Sequence, residues 1–301
     1  MSILGKNREQ KLSGLYTAVV TPFLSNSVDY FQFEALLERQ MQARVNGIVV
    51  LGSTGEPATL SKDEKIAVIR STVTCVGDRT AVIVGTGASS TAETIENSQI
   101  AQKEGAGAVL VITPYGNKPS QKGLAAHFSA VADNIDVPLI MYNIPGRTGV
   151  YMEPDTVIEL STHENIVGIK DASSKFEDMQ KIVNNSPANF SLLSGNDDET
   201  LRIMQLGGDG VIAVSSNVIA QQMREFIDIC QAQNWKGAEW LQQKYEPFFQ
   251  HLFIETNPLP AKTIMAYEGL CDEEFRLPLT PMYDDTRKEL LTFWDGFKRS
   301  L

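Results

Sequence analysis

The sequence predicts an α/β protein, a (β/α)8 barrel followed by a C-terminal helical module. Apolar runs rich in β-branched residues recur eight times along the 301 residues, and each run is followed by a segment with helical periodicity. The runs are continuously apolar instead of alternating, as expected for strands that are buried on both faces. Eight strand–helix units in series are what a closed parallel barrel requires.

The eight predicted strands follow one another in chain order. They are TAVVTPF from Thr17, GIVVLG from Gly47, AVIVGTG from Ala81, AVLVITP from Ala108, PLIMYNIP from Pro138, IVGIKDAS from Ile166, SLLSGND from Ser191 and GVIAVSSN from Gly210. Helix starts are marked by a capping box at residues 61–64, by Thr-Ala-Glu at 91–93, and by Glu-Pro-Asp at 153–155. Glycines in KEGAGAVL and QLGGDGVI mark helix ends before the next strand.

The strand–helix pattern predicts a TIM barrel that closes near Asn217. Beyond this point the periodicity is only helical, at residues 219–233, 235–254 and 284–301. We therefore expect a barrel over residues 1–222, which carries the site, and a helical module over residues 223–301. An open, doubly wound sheet is the alternative, but no G-x-G-x-x-G motif follows the first strand.

Composition excludes several classes of function. The formal net charge of −11 argues against a nucleic-acid partner. No segment approaches the roughly 20 apolar residues needed to span a bilayer, and residues 1–14 lack the apolar run of a secretory signal. The three cysteines (Cys75, Cys230 and Cys271) and the three histidines are scattered, which argues against a disulfide framework and against a metal site. We expect a cytoplasmic protein without metal or cofactor.

Two large reactive side chains lie at predicted strand ends, where barrel enzymes carry their catalytic groups. These are Tyr142 and Lys170. A lysine that loses solvation in a barrel mouth has a lowered pKa, and its neutral amine can attack a ketone to form an imine. Alternatively, Lys170 extends to solvent or pairs with Asp171. The phenol of Tyr142 can transfer protons, or the ring serves only for packing.

Smaller polar groups at other strand ends suggest recognition of carboxylates. Ser53 and Thr54 offer hydroxyls and neighbouring backbone amides for anion binding and proton transfer; the alternative is a simple strand-to-helix turn. Arg147, within Pro-Gly-Arg-Thr-Gly at 145–149, can bind a carboxylate through two parallel guanidinium N–H groups, or it lies on the surface of a turn. Their location at the strand ends of one barrel predicts a single site.

These residues resemble the dihydrodipicolinate synthase family. That family belongs to a superfamily of pyruvate-dependent, class I aldolase-like lyases that also includes N-acetylneuraminate lyase and 2-keto-3-deoxygluconate aldolase. The similarity spans Thr17 to about Leu279. It rests on GSTGE at 52–56, Tyr-Asn at 142–143, GIK at 168–170, PSQKGL at 119–124, NIPGRTG at 143–149, ETNPLP at 255–260 and RLPL at 276–279.

The resemblance implies an activity and two central catalytic residues. Lys170 would form a Schiff base with pyruvate, and the derived enamine would add to L-aspartate 4-semialdehyde in diaminopimelate and lysine biosynthesis. Tyr142 would be the proton relay, linked to Thr54. No cofactor or metal is implied, and the implied assembly is a homotetramer built as a dimer of dimers.

The resemblance also implies substrate-binding residues. Arg147 would hold the carboxylate of the semialdehyde, while Gly195 and Ile212 would line the pyruvate pocket. The pyruvate carboxylate would lie against the turn of Ser53 and Thr54. Ser53 replaces the threonine that is common in the family but retains the hydroxyl.

One departure from the family pattern is Gly116. Family members usually carry a second tyrosine here, which reaches a neighbouring subunit's site to complete the relay. Three interpretations remain open: Tyr115 substitutes for it, water carries the proton, or the enzyme uses another aldehyde. We expect reduced but real synthase activity, because a positioned acid–base group contributes about 100- to 10,000-fold.

A second departure concerns feedback inhibition. Lysine-inhibited relatives carry histidines on the helix after the GSTGE turn, where this chain has Lys62 and Lys65. Two ammonium groups repel a cationic effector, although Glu93 and Tyr115 remain available in this vestigial effector site. We predict weak or absent lysine inhibition. The alternative, that both lysines only solvate the first helical turn, gives the same outcome.

Two other functions remain alternatives. A related Schiff-base lyase acting on a sugar-derived 2-keto acid would share Lys170, Tyr142 and the turn at 52–56, and would fit Gly116, but it fits Arg147 less well. A catalytically silent barrel would require Lys170 to be unreactive.

Overall fold

A computed structural model describes residues 11–301 and shows a closed parallel barrel. In chain order the strands are β1 (Gly14–Ala18), β2 (Phe23–Leu24), β3 (Ser27–Val28), β4 (Gly47–Val50), β5 (Ala81–Gly85), β6 (Ala108–Ile112), β7 (Leu139–Asn143), β8 (Ile166–Asp171), β9 (Ser191–Ser194) and β10 (Gly210–Ala213). β2 and β3 form a short antiparallel hairpin. The other eight are ordered β1-β10-β9-β8-β7-β6-β5-β4, and pairing of β1 with β4 closes the ring. The predicted (β/α)8 barrel is confirmed, and an open sheet is excluded.

Helices surround the barrel and form the C-terminal part of the chain. They are α1 (Tyr30–Gln42), α2 (Lys62–Val76), α3 (Thr91–Lys103), α4 (Gln121–Asp133), α5 (Pro145–Thr148), α6 (Pro154–Leu160), α7 (Phe176–Asn185), α8 (Thr200–Gln205), α9 (Ser216–Gln231), α10 (Trp235–His251), α11 (Leu259–Tyr267) and α12 (Asp284–Lys298). The predicted capping box starts α2: Glu64 N donates to Ser61 Oγ at 3.2 Å, and Ser61 N donates to a Glu64 carboxylate oxygen at 2.9 Å. Gly105 and Gly207 follow the ends of α3 and α8 with φ of +97°, a conformation that favours glycine.

The strands are buried on both faces, as their continuous apolar character predicts. One set of side chains fills the barrel interior, among them Val49, Ile83, Leu110 and Ile212. The other set packs outward against the helices. Each fully buried aliphatic side chain contributes about 1.5–3 kcal/mol of transfer free energy, so both faces stabilise the ring.

Several elements differ from the sequence prediction. β1 spans Gly14–Ala18, whereas the predicted strand begins at Thr17 and continues past Ala18. Val19 and Val20 are buried but do not belong to the strand; apolar periodicity reports burial and not strand pairing. The β2–β3 hairpin was not predicted. Neither was α11, whose proline-rich start resembles a loop. Pro258 precedes this helix and Pro260 lies in its first turn, where a missing N–H costs nothing.

The chain beyond the barrel returns to the barrel mouth. α11 packs against α9 and α12, and the segments around it contact the turn that follows β4. The predicted boundary between residues 222 and 223 falls inside α9, and the division into two units remains a prediction. Residues 1–10 lie outside the described residues. They make up most of the segment 1–14, for which the sequence predicts no secretory signal. None of the helices in the described chain has both the length and the apolar character required to cross a membrane.

Candidate active site

A cavity of about 450 Å³ opens at the carboxyl ends of the strands. Its wall combines residues of the barrel, including Ser53, Tyr142 and Arg147, with Asn257 and Leu279 from the C-terminal part of the chain. Within residues 11–301, the side chains that line this cavity do not include Lys170 or Ile212. These two residues are 5% and 0% exposed. Both side chains are therefore buried, and Lys170 adjoins the cavity wall through its contact with the Tyr142 ring.

Lys170 is buried beside Tyr142. The two residues are paired in register on β8 and β7, and Lys170 Nζ lies 4.4 Å from the centroid of the Tyr142 ring. Burial lowers the pKa of Lys170 to about 8; the carboxylate of Asp197 opposes this shift, and the positive charge of Arg147 adds to it. The neutral amine that imine formation needs is therefore accessible near neutral pH.

Asp171, the alternative partner of Lys170, is bonded to other groups. Its Oδ2 accepts a hydrogen bond from Asn143 Nδ2 at 3.1 Å, and its Oδ1 accepts one from Ser173 N at 2.8 Å. Asn143 in turn exchanges two hydrogen bonds with the backbone of Met152. Asp171 thus holds Asn143 at the end of β7, and through Asn143 the backbone at Met152, beyond the short helix that carries Arg147.

Tyr142 keeps its phenol proton at neutral pH. Burial raises its pKa to about 12, while the charge of Arg147 and a hydrogen bond with the Ser53 side chain lower it. A protonated phenol beside a lysine amine can donate a proton to a departing hydroxide and take it back. The phenol of Tyr142 thus lies near the Ser53 side chain, whereas the resemblance links Tyr142 to Thr54.

The turn after β4 is a 3₁₀ helix at Ser53–Gly55. Gly55 N donates to Gly52 O at 2.8 Å, and the left-handed residue Glu56 (φ 53°) ends the turn. Thr54 is 4% exposed, and its hydroxyl accepts a hydrogen bond from Asn257 Nδ2 at 2.9 Å. The C-terminal part of the chain therefore orients one of the predicted site hydroxyls.

Arg147 lies in α5, directly after β7, and is exposed at the cavity mouth. Its Nη2 donates to the carbonyl oxygen of Asn257 at 3.0 Å. This contact fixes one side of the guanidinium, and several of its five N–H donors remain for a carboxylate in the cavity.

Gly195 and Ile212 lie at two neighbouring strands, Gly195 just after β9 and Ile212 within β10. Gly195 follows β9, and its N–H donates to Asp171 O at 2.7 Å. A Cβ at this position would lie 2.7 Å from Ala172 Cβ, so the backbones approach closely here. Ile212 belongs to the same interior cluster as Tyr142.

Two residues at the site were missed in the sequence. Asp197 is 1% exposed, and its carboxylate accepts hydrogen bonds from the backbone N–H groups of Val214 and Ser215; burial raises its pKa to about 6. Its place just beyond a strand end was an available signal. Asn257 lies in the segment at 255–260 that contributes to the resemblance, but no site role was predicted for it, because its partner Thr54 is 203 residues away.

Tyr115 forms part of the cavity wall and is 45% exposed. Gly116 has φ of +90°, and a Cβ built there meets no atom within 4 Å. A side chain added at position 116 would therefore meet no atom of the same chain close to its Cβ.

Only some residues of the predicted effector site line the cavity. Lys65 and Glu93 contribute to its wall, whereas Lys62 Nζ forms an ion pair with Glu96 at 2.5 Å. Within residues 11–301, no group of three or more His, Cys, Asp or Glu side chains is arranged to hold a metal ion.

The chain matches the dihydrodipicolinate synthetase family over residues 11–293. It is 40% identical over 276 residues to the 4-hydroxy-tetrahydrodipicolinate synthase of Leptospira biflexa, covering 92% of this chain and 94% of that protein. The solved structure of the same-named enzyme of Methylacidiphilum fumariolicum SolV aligns with a TM-score of 0.94 at 41% identity, covering 96% and 97% of the two chains. A structure described as the first monomeric dihydrodipicolinate synthase variant aligns with a TM-score of 0.94 at 37% identity, covering 95% and 97%.

Proposed function

The chain belongs to the dihydrodipicolinate synthetase family, and on this basis we propose that it is a Schiff-base-forming lyase. The proposed reaction condenses pyruvate with L-aspartate 4-semialdehyde to give 4-hydroxy-tetrahydrodipicolinate, in the route to diaminopimelate and lysine. The observation that carries the proposal is a buried Lys170 amine, with a pKa lowered to about 8, held against the Tyr142 ring.

The first step is imine formation. The neutral amine of Lys170 attacks the ketone carbon of pyruvate, and the resulting carbinolamine loses water as the C–N double bond forms. Tyr142 supplies the proton that lets the hydroxyl leave as water and recovers one from the nitrogen. Ser53 and Thr54 bind the pyruvate carboxylate, and Gly195 and Ile212 complete the pocket.

The second step forms a carbon–carbon bond. Loss of a methyl proton from the imine gives an enamine, whose carbon attacks the aldehyde of the semialdehyde while the aldehyde oxygen takes up a proton. Arg147 holds the semialdehyde carboxylate, since it lines the cavity and only its Nη2 is bonded to Asn257 O among the hydrogen bonds of the described residues. Attack by the semialdehyde amino group on the imine carbon then closes the ring and expels Lys170.

The test is turnover of pyruvate with L-aspartate 4-semialdehyde, coupled to dihydrodipicolinate reductase, together with borohydride trapping of pyruvate on the enzyme. Lys170→Ala should lose both activities, whereas Lys175→Ala, an exposed lysine beyond the same strand, should retain both. Trapping without turnover would leave the imine chemistry standing and reject this aldehyde. Sugar-derived 2-keto acids are then the substrates to assay, because Gly116 favours that alternative. Absence of trapping would reject the lyase altogether.

We further propose a homotetramer and a cytoplasmic location, both from the family resemblance. Light scattering of the purified chain measures the assembly, and a monomer would refute it.

A further inference from the structure

A buried ion pair joins the C-terminal part of the chain to the turn of Ser53 and Thr54. Lys262 Nζ lies 2.7 Å from Glu56 Oε1, and the two side chains are 0% and 1% exposed. The ammonium also donates to the backbone oxygens of Thr21 at 3.0 Å and Glu274 at 2.8 Å. Its three protons therefore have three acceptors, each on a different segment of the chain.

Removing these two charges from water costs free energy. Burial is the largest influence on both groups: it raises the pKa of Glu56 and lowers that of Lys262, and each partner opposes the effect on the other. The second carboxylate oxygen of Glu56 is buried without a hydrogen-bond partner. Buried pairs of this kind add little net stability compared with apolar residues of similar volume, so stability alone does not account for the pair.

The geometry of the turn shows what the pair holds in place. Glu56 occupies the left-handed region (φ 53°, ψ 41°), and its N–H donates to Ser53 O at 3.3 Å. Thr21 Oγ1 donates to Gly55 O at 2.8 Å, while the carbonyl of Thr21 accepts from Lys262. One ammonium thus anchors the end of the turn and the loop that braces it, and Glu56 itself contributes to the cavity wall.

We propose that the ion pair of Glu56 with Lys262 is a positioning device that fixes the turn of Ser53 and Thr54 for binding of the pyruvate carboxylate. This inference rests on the proposed function, which places the carboxylate at that turn. The C-terminal part of the chain then acts in substrate binding through Lys262, although Lys262 itself does not touch the substrate.

The test is the double variant Glu56→Met with Lys262→Met. It leaves no buried charge and approximately keeps the side-chain volumes, so it should fold even where Lys262→Met alone does not. We expect the half-saturating pyruvate concentration for borohydride trapping to rise about tenfold or more, since small displacements of a binding group are costly. The trapping rate at saturating pyruvate should fall by less than this, because Lys170 and Tyr142 keep their places on β8 and β7 and only the contact of Tyr142 with Ser53 is loosened.

Phe248→Leu is the matched control. Phe248 is a fully buried residue of α10 that packs against Trp294 and Phe297 of α12, so this variant loses stability without touching the turn. Its half-saturation should equal that of the wild type. An unchanged half-saturation in the double variant, or an equal rise in Phe248→Leu, would overturn the inference.

Amide hydrogen exchange over residues 52–60 separates this inference from the proposed function. Exchange there should be faster in the double variant than in wild type and Phe248→Leu, whether or not pyruvate is a substrate. If the wild type fails to trap pyruvate, the proposed function falls, and exchange alone decides whether the pair orders the turn. Unchanged exchange would refute that ordering.

Discussion

The amine of Lys170 titrates in a buried environment, so imine formation should depend on pH in a defined way. With a pKa of about 8, about one amine in ten is neutral at pH 7, far more than for an exposed lysine. We expect the rate of borohydride trapping at low pyruvate concentration to rise up to pH 8 and then level off. The charge of Asp197 raises the pKa of Lys170, so Asp197→Asn should move the inflection to lower pH, by about one unit. An inflection near pH 10 in the wild type would contradict the assignment.

Gly116 gives a second prediction for a single residue. If the missing phenol limits proton transfer, Gly116→Tyr should raise kcat by about tenfold or more. The left-handed backbone there (φ +90°) should also cost about 1–2 kcal/mol of stability. Gly116→Ala is the control, since it has the same backbone strain but no phenol. A kcat of the tyrosine variant no higher than those of the alanine variant and the wild type would reject the relay interpretation.

Some site residues can be predicted from the sequence and others cannot, because only the former depend on the order of neighbouring strands. Lys170 and Tyr142 end consecutive strands, so a parallel barrel must bring them together, and the structure pairs them in register. Lys262 and Asn257 reach the site from more than 200 residues away. No local pattern encodes such contacts, because they depend on how the C-terminal helices pack.

At the scale of elements, the start of α2 should make stability depend on pH. A bidentate contact with Arg276 lowers the pKa of Glu64 to about 2. The contact stabilises the fold fully above about pH 4.5, where the unfolded side chain is also ionised, and is lost as the pH falls towards 2. Glu64→Gln should therefore cost about 1 kcal/mol at pH 7, since the pair is only partly buried, and nothing near pH 2. Urea unfolding measures this free energy.

Ser61→Ala is the matched control for this helix start. It removes the capping hydroxyl and should cost about 1 kcal/mol while the contact of Glu64 with Arg276 remains. The difference from wild type should then be nearly independent of pH. A loss in Glu64→Gln that persists unchanged at low pH would show that capping, not the ion pair, explains the effect.

The starts of α2 and α3 also bear on feedback inhibition. Lys65 and Glu93 lie on the cavity wall, and Lys62 is engaged by Glu96. The ammonium of Lys65 repels a cationic effector, so we expect L-lysine not to inhibit turnover in the sub-millimolar range. Titration of L-lysine at saturating substrates measures this, and half-inhibition within that range would refute the prediction.

Element types were more predictable than element limits. Local start signals correctly located the starts of α2, α3 and α6, because a side-chain cap (α2 and α3) and a first-turn proline (α6) both act within a few residues. The ends of β1 were not predictable from apolar character, since Val19 and Val20 are buried by packing beyond the ladder. α11 was missed because proline weakens helical patterns even where the first turn tolerates it.

At the scale of the whole molecule, the cavity is formed jointly by the barrel and the chain that follows it. The wall includes Thr256, Asn257, Pro258, Pro278 and Leu279, so residues 1–222 alone would lack part of the site. The sequence predicted the barrel as the carrier of the site, and that is incomplete. The missing part depends on tertiary packing.

Closure of the ring by β1 has a consequence for synthesis in the cell. Gly14 of β1 pairs with Gly210 of β10. Nearly two hundred residues must therefore be translated after β1 before β10, its second neighbour besides β4, has been synthesised. At about 5–20 residues per second, this takes roughly 10–40 s. During that time the nascent chain exposes unpaired strand edges, which are prone to aggregation. Chaperone dependence during translation, rather than the stability of the finished barrel, should therefore limit its yield.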